Sequence, residues 1–214
     1  MNYTARLDSW LRERGGAARI GEVAILPVEG RYEVRHFRDV PASSPPGEAP
    51  LPGRQGSAIL VQILGHLELA EMVKKTRGGS FRPLRGAPSL REGWRLGPLD
   101  AAGLVQALNL IYPGALASWA EREDGTLEAT EFGATARRQT GMYRIAQVIT
   151  AAQLAATVVQ VCEEGCLRRR LWQPASRDEA ATPGTLPLLC PEACNYFVAQ
   201  ARERIVADKK DAGE

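Results

Sequence analysis

The chain has 214 residues, a formal net charge of +2, four cysteines and two histidines. This length suffices for one large domain or two small ones, each with its own core. The charge is nearly balanced, and no apolar run approaches the ~20 residues of a membrane helix, so we expect no nucleic-acid or membrane binding. The segment Met1–Arg14 is charged and lacks the apolar stretch of a signal peptide. This favours a cytoplasmic location, where thiols stay reduced.

The N-terminal part is predicted to mix helix and strand. Leu7 and Leu11 lie at helical spacing near the start of the chain. Two β-rich runs follow, Arg19–Val28 and Arg31–Asp39, and the short connection between them ends in a glycine, which predicts a β-hairpin. The next stretch, 41–56, is rich in proline and glycine. Such a composition predicts a loop or linker.

Helical patterns return further along the chain. Periodicity over Ile59–Lys75 predicts a helix, whereas the prolines and glycines of Phe81–Leu96 predict an irregular segment. A helix is predicted from Pro98 to about Ile111, and a shorter one over Ala115–Arg122. We therefore predict an α+β chain, in which a mixed α/β domain over residues 1–130 contains the hairpin and the 41–56 linker, and a helical domain follows over residues 131–214.

All four cysteines fall in the last quarter of the chain, as two pairs of equal spacing, Cys162/Cys166 and Cys190/Cys194. Four convergent thiolates are what a tetrahedral metal site or an iron–sulfur cluster requires. Zinc sites accept ligand pairs at this spacing as well, so the pattern leaves a [4Fe-4S] cluster and zinc both open. Unligated core cysteines would have no reason to gather in two matched pairs, and disulfides are rare in the cytosol.

Each cysteine pair is predicted to lie at a helix end. Thr150 and Gln153 have the spacing of a capping box, and the helix that they begin would carry Cys162 on its apolar face and stop at Gly165. In the second pair, the proline that follows Cys190 suits the first turn of a helix. Cys190 is therefore the predicted N-cap of the last helix, and Cys194 is predicted to lie within it.

Several stretches resemble a known module. Arg138–Arg144, Cys162–Trp172 and Cys190–Asn195 resemble the 4Fe-4S cluster-binding domain found C-terminal to sirohydrochlorin cobaltochelatase domains of the small single-chain type. Phe81–Leu96, together with Leu110–Pro113, is similar to the stabilising domain that precedes the cluster domain in that family. The resemblance implies an N-terminal stabilising domain and a helical domain with a [4Fe-4S] cluster, held by Cys162, Cys166, Cys190 and Cys194.

The resemblance also implies a function. A chain of this kind would be a redox or structural companion of a sirohydrochlorin chelatase in siroheme or cobalamin biosynthesis, with the chelatase or a redox protein as partner. A zinc-stapled interaction module without redox activity and a stand-alone electron carrier are the alternatives. The 214 residues contain no stretch that resembles the chelatase domains, and His36 and His66 show no ligand pairing. We therefore do not expect this chain to be a chelatase by itself.

Arginines surround the cysteine motifs. Arg144 and the run Arg168, Arg169 and Arg170 are candidate contacts for the carboxylates of an acidic tetrapyrrole. The simpler interpretation is a solvated, salt-bridged surface beside an anionic cluster, because charge runs most often have that role.

Overall fold

The computed structural model describes residues 2–41, 60–76, 78–82, 86–126, 143–166 and 193–211. The chain divides into two compact units, Met1–Ala117 and Ser118–Glu214. All but the first residue of the predicted 41–56 linker lies outside the described residues, and so does the predicted domain border between residues 130 and 131. Both therefore stay predictions.

The first unit is built from helices and one five-stranded sheet. The sheet order is β1-β2-β3-β5-β4, with β4 parallel to β5 and the other neighbours antiparallel. The elements in chain order are α1 (Tyr3–Arg12), β1 (Ala18–Ile20), β2 (Val23–Val28), β3 (Arg31–His36), a 3-10 turn (Phe37–Asp39), β4 (Val61–Ile63), α2 (His66–Met72), β5 (Trp94–Leu99), α3 (Ala101–Ile111) and α4 (Ala115–Glu123), the last of which contains the border between the units.

The predicted N-terminal helix and hairpin are confirmed. Leu7 and Leu11 are the buried face of α1. Strands β2 and β3 pair over their whole length, and the turn between them places Glu29 at φ 49° and Gly30 at φ 76°. Two successive positive φ values characterise the tight turn that matches the twist of a hairpin, and glycine adopts them without strain. The first β-rich run differs in one respect, because the turn at Gly21 splits it into β1 and β2.

The helix predicted over Ile59–Lys75 is wrong in its first part. Val61–Ile63 forms the edge strand β4, and α2 begins only at His66, after Gly65. Two β-branched residues flank Gln62 in this strand, and such residues favour extended backbone. The helical periodicity of this stretch therefore corresponds to a helix only after Gly65.

The irregular segment predicted over Phe81–Leu96 runs into a strand instead. β5 occupies Trp94–Leu99, where buried Trp94 and Leu96 alternate with exposed Arg95. Consequently the next helix starts later than its predicted start at Pro98. The Asp100 carboxylate caps α3 by accepting the Gly103 N–H at 2.7 Å.

Helix α3 organises the core of the first unit. It contacts α1 and α2 as well as strands β3 and β5, so one helix joins the other helices to the sheet. The residues that fill this core are fully or almost fully buried, namely Leu7, Leu11, Ile20, Val23, Ile25, Val34, Leu69, Trp94, Leu96, Leu104, Leu108 and Ile111.

Polar groups are also buried in the first unit, and each holds a loop. The Glu22 N–H donates to the Tyr112 hydroxyl at 2.9 Å, and the Glu22 carboxylate accepts the Leu90 N–H at 2.8 Å. Arg82 donates to the carbonyls of Val73 and Ala87, at 3.2 and 3.1 Å. These bonds hold the loop segments that contain Glu22, Arg82 and Leu90, because buried polar groups cost free energy unless they are paired.

The described part of the second unit is helical. Its elements after α4 are α5 (Tyr143–Val148), α6 (Ala151–Val158), a π-helical turn (Val159–Glu164, called the π turn below) and α7 (Asn195–Asp211). The predicted α+β class, with a helical C-terminal part, is confirmed. Among the helices of the described residues, none has the length and apolar character needed to cross a bilayer.

Candidate metal centre

An apolar cluster joins α5, α6, the π turn and α7. Cys162 belongs to this cluster and is only 7% exposed, while half-buried Cys194 packs against it. Two of the four predicted ligands, 32 residues apart in the sequence (162 to 194), therefore border one core. Its buried members are Ile145, Leu154, Val158, Val161, Cys162, Ala193, Phe197, Ala201 and Ile205.

Helix α6 starts where the sequence predicts. The Thr150 hydroxyl accepts the Gln153 N–H at 3.2 Å, and the Gln153 side chain accepts the Thr150 N–H at 2.9 Å. This reciprocal capping box satisfies two N–H groups that would otherwise lack partners at the helix start. The hydroxyl of buried Thr157 donates to the Gln153 carbonyl at 2.8 Å. The first cysteine pair is thus carried by a helix with a well-defined start.

The end of that helix differs from a simple stop. α6 gives way at Val158 to the π turn, which contains Cys162 and ends just before Gly165. Cys166 follows directly and is only 6% exposed. A Cβ at Gly165 would lie 3.1 Å from the carbonyl oxygens of Gln160 and Val161, which is tighter than most Cβ contacts, so a side chain there would require the π turn to shift slightly. The sequence predicted the stop at Gly165 but carried no signal for the π turn.

Cys194 is placed differently from the prediction. α7 begins at Asn195, so Cys194 immediately precedes the helix rather than lying within it, and the helix start predicted at Cys190 is wrong. The Cys194 sulfur accepts the Phe197 N–H at 3.3 Å, and the Cys194 carbonyl accepts the Val198 N–H at 3.0 Å. The sulfur thus takes one of the unpaired N–H groups of the first turn. The positive end of a helix also favours negative charge at this position.

The structure describes three of the four predicted ligands. Cys162, Cys166 and Cys194 have the burial given above, whereas Cys190 lies outside the described residues. Within the described ranges, no three histidine, cysteine or acidic side chains are gathered closely enough to hold a metal ion. The chemistry of the three described sites still fits an iron–sulfur group. Sulfur is the donor atom, the surroundings are apolar, and a backbone N–H already points at the Cys194 sulfur.

None of the other predicted candidates is a member of this cluster among the residues that the structure describes. Arg144 is exposed on α5, and the run Arg168–Arg170 lies outside the described residues, so a tetrapyrrole contact of these arginines stays a prediction. The two histidines belong to the first unit. His36 is fully buried and its Nδ1 accepts the Arg38 N–H at 3.2 Å, while His66 Nε2 lies 3.0 Å from the Gly103 carbonyl oxygen.

Comparison with known protein families identifies both parts of the chain. Residues 124–203 match the 4Fe-4S iron-sulfur cluster binding domain, and residues 54–123 match the DR2241 stabilising domain. The two matches adjoin and together span residues 54–203. The match also decides between the two metal groups that the cysteine spacing left open, because the domain is a 4Fe-4S domain and not a zinc module.

One solved structure is similar over nearly the whole chain. The chain is similar to DR2241 from Deinococcus radiodurans, which is described as a multi-domain protein with structural similarity to chelatases and with two additional novel domains. The sequence identity is 30% and the TM-score is 0.70, over 97% of this chain. This chain spans only 42% of the length of DR2241. Among curated proteins, none matches this chain.

Proposed function

We propose that this protein holds a [4Fe-4S] cluster on Cys162, Cys166, Cys190 and Cys194 and serves as a redox or structural companion of a tetrapyrrole chelatase. Sirohydrochlorin is the proposed tetrapyrrole, and siroheme or cobalamin biosynthesis is the proposed context. The observation that carries the proposal is the alignment of 97% of this chain, cluster domain and stabilising domain together, with part of a single chelatase-like protein.

The described members of the proposed ligand set follow α6 or precede α7. Buried Cys162 would contribute from the π turn, buried Cys166 from just beyond it, and half-buried Cys194 from just before α7. A [4Fe-4S] cluster in such a site would supply one-electron transfer at a potential set by hydrogen bonds and burial. The apolar cluster shields Cys162 from water, and the Phe197 N–H stabilises negative charge on Cys194. Because the ligands must be reduced thiolates, a cytoplasmic location suits this role.

The ligand set is tested by single replacements. Protein purified without oxygen should contain about four irons and four sulfides per chain and absorb near 400 nm (roughly, as thiolate-to-iron bands do). Replacing Cys162, Cys166, Cys190 or Cys194 with serine should remove most of that iron, because serine oxygen is a poor substitute for thiolate sulfur. Full iron and sulfide content in any of the four variants would exclude that residue as a ligand.

The partnership requires a separate experiment. A sirohydrochlorin chelatase should be assayed for metal insertion alone, with the cluster-loaded chain and with the cluster-free chain. A redox companion should raise the rate only when the cluster is present, whereas a structural companion should act in both states. If the chelatase neither binds the chain in a pull-down nor changes its rate, the proposed partnership is excluded while the cluster assignment stands.

The arginine candidates can be tested in the same preparation. If Arg168 and Arg169 bind tetrapyrrole carboxylates, replacing both with glutamine should weaken sirohydrochlorin binding and reduce its salt dependence. If they only balance the charge of the cluster, binding should be unchanged and the reduction potential should fall, because positive charge favours adding an electron. Replacing Arg144, which is exposed on α5, with glutamine tests the remaining arginine candidate by the same two measurements.

A further inference from the structure

The helix that carries Cys162 changes its winding before it reaches the cysteine. α6 is regular from Ala151 to Val158, and the following six residues, Val159–Glu164, form the π turn. π-helical turns are rare, and they recur at functional sites. Since the α-helix is the favoured winding, contacts with neighbouring elements are needed to explain the π turn.

The change in winding keeps both cysteines on the buried side. An α-helix advances about 100° per residue, so every fourth residue drifts forward by about 40°. Leu154, Val158, Cys162 and Cys166 are spaced by four and would drift by about 120° in one continuous α-helix. A turn with i→i+5 bonds has about 4.4 residues per turn, so a four-residue step falls about 30° short and cancels part of that drift. All four residues are in fact at most 7% exposed.

A side chain within the π turn ties it to α7. The Gln160 side-chain oxygen Oε1 accepts from Arg204 Nη2 at 2.7 Å, and the Gln160 side-chain nitrogen Nε2 donates to Gln200 Oε1 at 2.9 Å. Gln200 and Arg204 lie one turn apart on α7, and Gln200 also donates to Glu203 at 2.8 Å. Gln160 thus uses both ends of its amide to join the π turn to the helix whose start carries Cys194.

The other end of α6 has a comparable link without a nearby cysteine. The Gln153 amide nitrogen donates to the Asp208 carboxylate at 2.6 Å, again between α6 and α7 and again at an exposed position. This bond lies at the first turn of α6, nine residues before Cys162 in the sequence. The Gln153 and Gln160 links are both side-chain hydrogen bonds to α7, but only the Gln160 link lies close to Cys162 in the sequence.

We propose that Gln160 is a positioning residue for the cluster. Its two hydrogen bonds hold the π turn against α7 and thereby keep the Cys162 thiolate directed into the core that Cys194 borders. This inference rests on the proposed ligand set. If Gln160 had only a general structural role, losing it would have the same effect as losing the Gln153–Asp208 link.

The test compares Gln160→Ala with Asp208→Ala and Gln160→Glu in the full chain. In cluster-free protein under native conditions, alkylation of Cys162 by iodoacetamide is followed by peptide mass spectrometry. In cluster-loaded protein, an iron chelator is added and the decrease of the cluster absorption is followed over time.

Gln160→Ala should accelerate both the alkylation of Cys162 and the loss of the cluster about tenfold, as is typical for losing a residue that orients a metal ligand. Asp208→Ala should stay within about twofold of the original chain in both measurements. Gln160→Glu should stay closer to the original chain than Gln160→Ala does, because its carboxylate still accepts from Arg204 although it can no longer donate to the Gln200 oxygen.

Equal rates in Gln160→Ala and Asp208→Ala would overturn the inference, and so would a failure of Gln160→Glu to restore slow alkylation. If Gln160→Ala does not fold, Gln200→Ala provides the same comparison, because it removes one bond and leaves the Arg204 bond in place. Faster Cys162 alkylation in that variant supports the inference, and unchanged alkylation overturns it. A chain that takes up no cluster at all would contradict the proposed function, and the alkylation rates would still decide the role of Gln160.

Discussion

A cysteine side chain can both cap a helix and bind a cluster, and Cys194 is placed for both. It accepts the Phe197 N–H at the start of α7, as a serine or aspartate side chain does at other helix starts, and it is a proposed cluster ligand. The sequence placed the helix start four residues earlier because Pro191 suits a first turn. That rule concerns backbone shape alone, and it could not show that the Cys194 sulfur would supply the cap. The four ligand candidates, in contrast, needed only the cysteine spacing.

Tyr112 gives a prediction at the scale of a single residue. Its hydroxyl accepts the Glu22 N–H in the core, and burial raises the pKa of Tyr112 far above its usual value of about 10. The folded state therefore holds this proton more tightly than the unfolded state does. The stability that Tyr112 contributes is complete below pH ~10 and is lost progressively as the pH rises towards the raised pKa.

Replacing Tyr112 with phenylalanine should have two effects. At neutral pH the variant should be less stable by about 1–3 kcal/mol, because the buried Glu22 N–H loses its acceptor. Above pH ~10 the gap between the two proteins should narrow, because the variant has no hydroxyl to ionise. Urea unfolding followed by circular dichroism at about pH 7 and pH 11 measures both effects. A gap that stays constant or widens at high pH would contradict this account.

At the scale of elements, the sequence predicted best where one local rule decided the structure. The hairpin followed from its turn and the α6 start from its capping box, both confirmed by hydrogen bonds. The strands β4 and β5 were missed because their pairing is tertiary: Val61–Ile63 pairs with Trp94–Leu96, more than 30 residues away (61 to 94). The π turn was missed for the same reason, since part of what holds it is Gln160 bonded to α7.

Gly165 provides the test at this scale. An alanine there would place its Cβ 3.1 Å from two carbonyl oxygens of the π turn, although the backbone itself, at φ −90°, accepts alanine. Gly165→Ala should therefore push the π turn out of place, lower the stability of the helical unit by about 1 kcal/mol and speed cluster loss. Gly78→Ala is the control, because its Cβ would meet only Thr76 at an ordinary 3.9 Å. Thermal unfolding and the chelator assay should separate the two variants; similar behaviour would show that the crowding at Gly165 is relieved without effect.

At the scale of the whole molecule, the two compact units differ in what stabilises them. The first has its own apolar core and a set of buried, paired polar groups. The described part of the second has a smaller apolar cluster, around which the proposed ligands lie. None of the four cysteines belongs to the first unit, Met1–Ala117. The free energy of cluster binding should therefore stabilise the second unit in particular, because binding to a site that the unfolded chain lacks adds to folding stability.

Hydrogen exchange tests this division directly. Removing the cluster, by chelation or by Cys162→Ser, should leave the amide protection of β2, β3 and α3 unchanged and reduce the protection of α6 and α7. The reason is that exchange reports local opening, and the helices would lose the contribution of the metal group while the sheet keeps its core. Tyr112→Phe is the reciprocal control, since it should weaken protection in the first unit and leave α6 and α7 as they were. Loss of protection throughout the chain on cluster removal would instead mean that the two units unfold as one cooperative structure, and that the cluster stabilises the sheet as much as the helices.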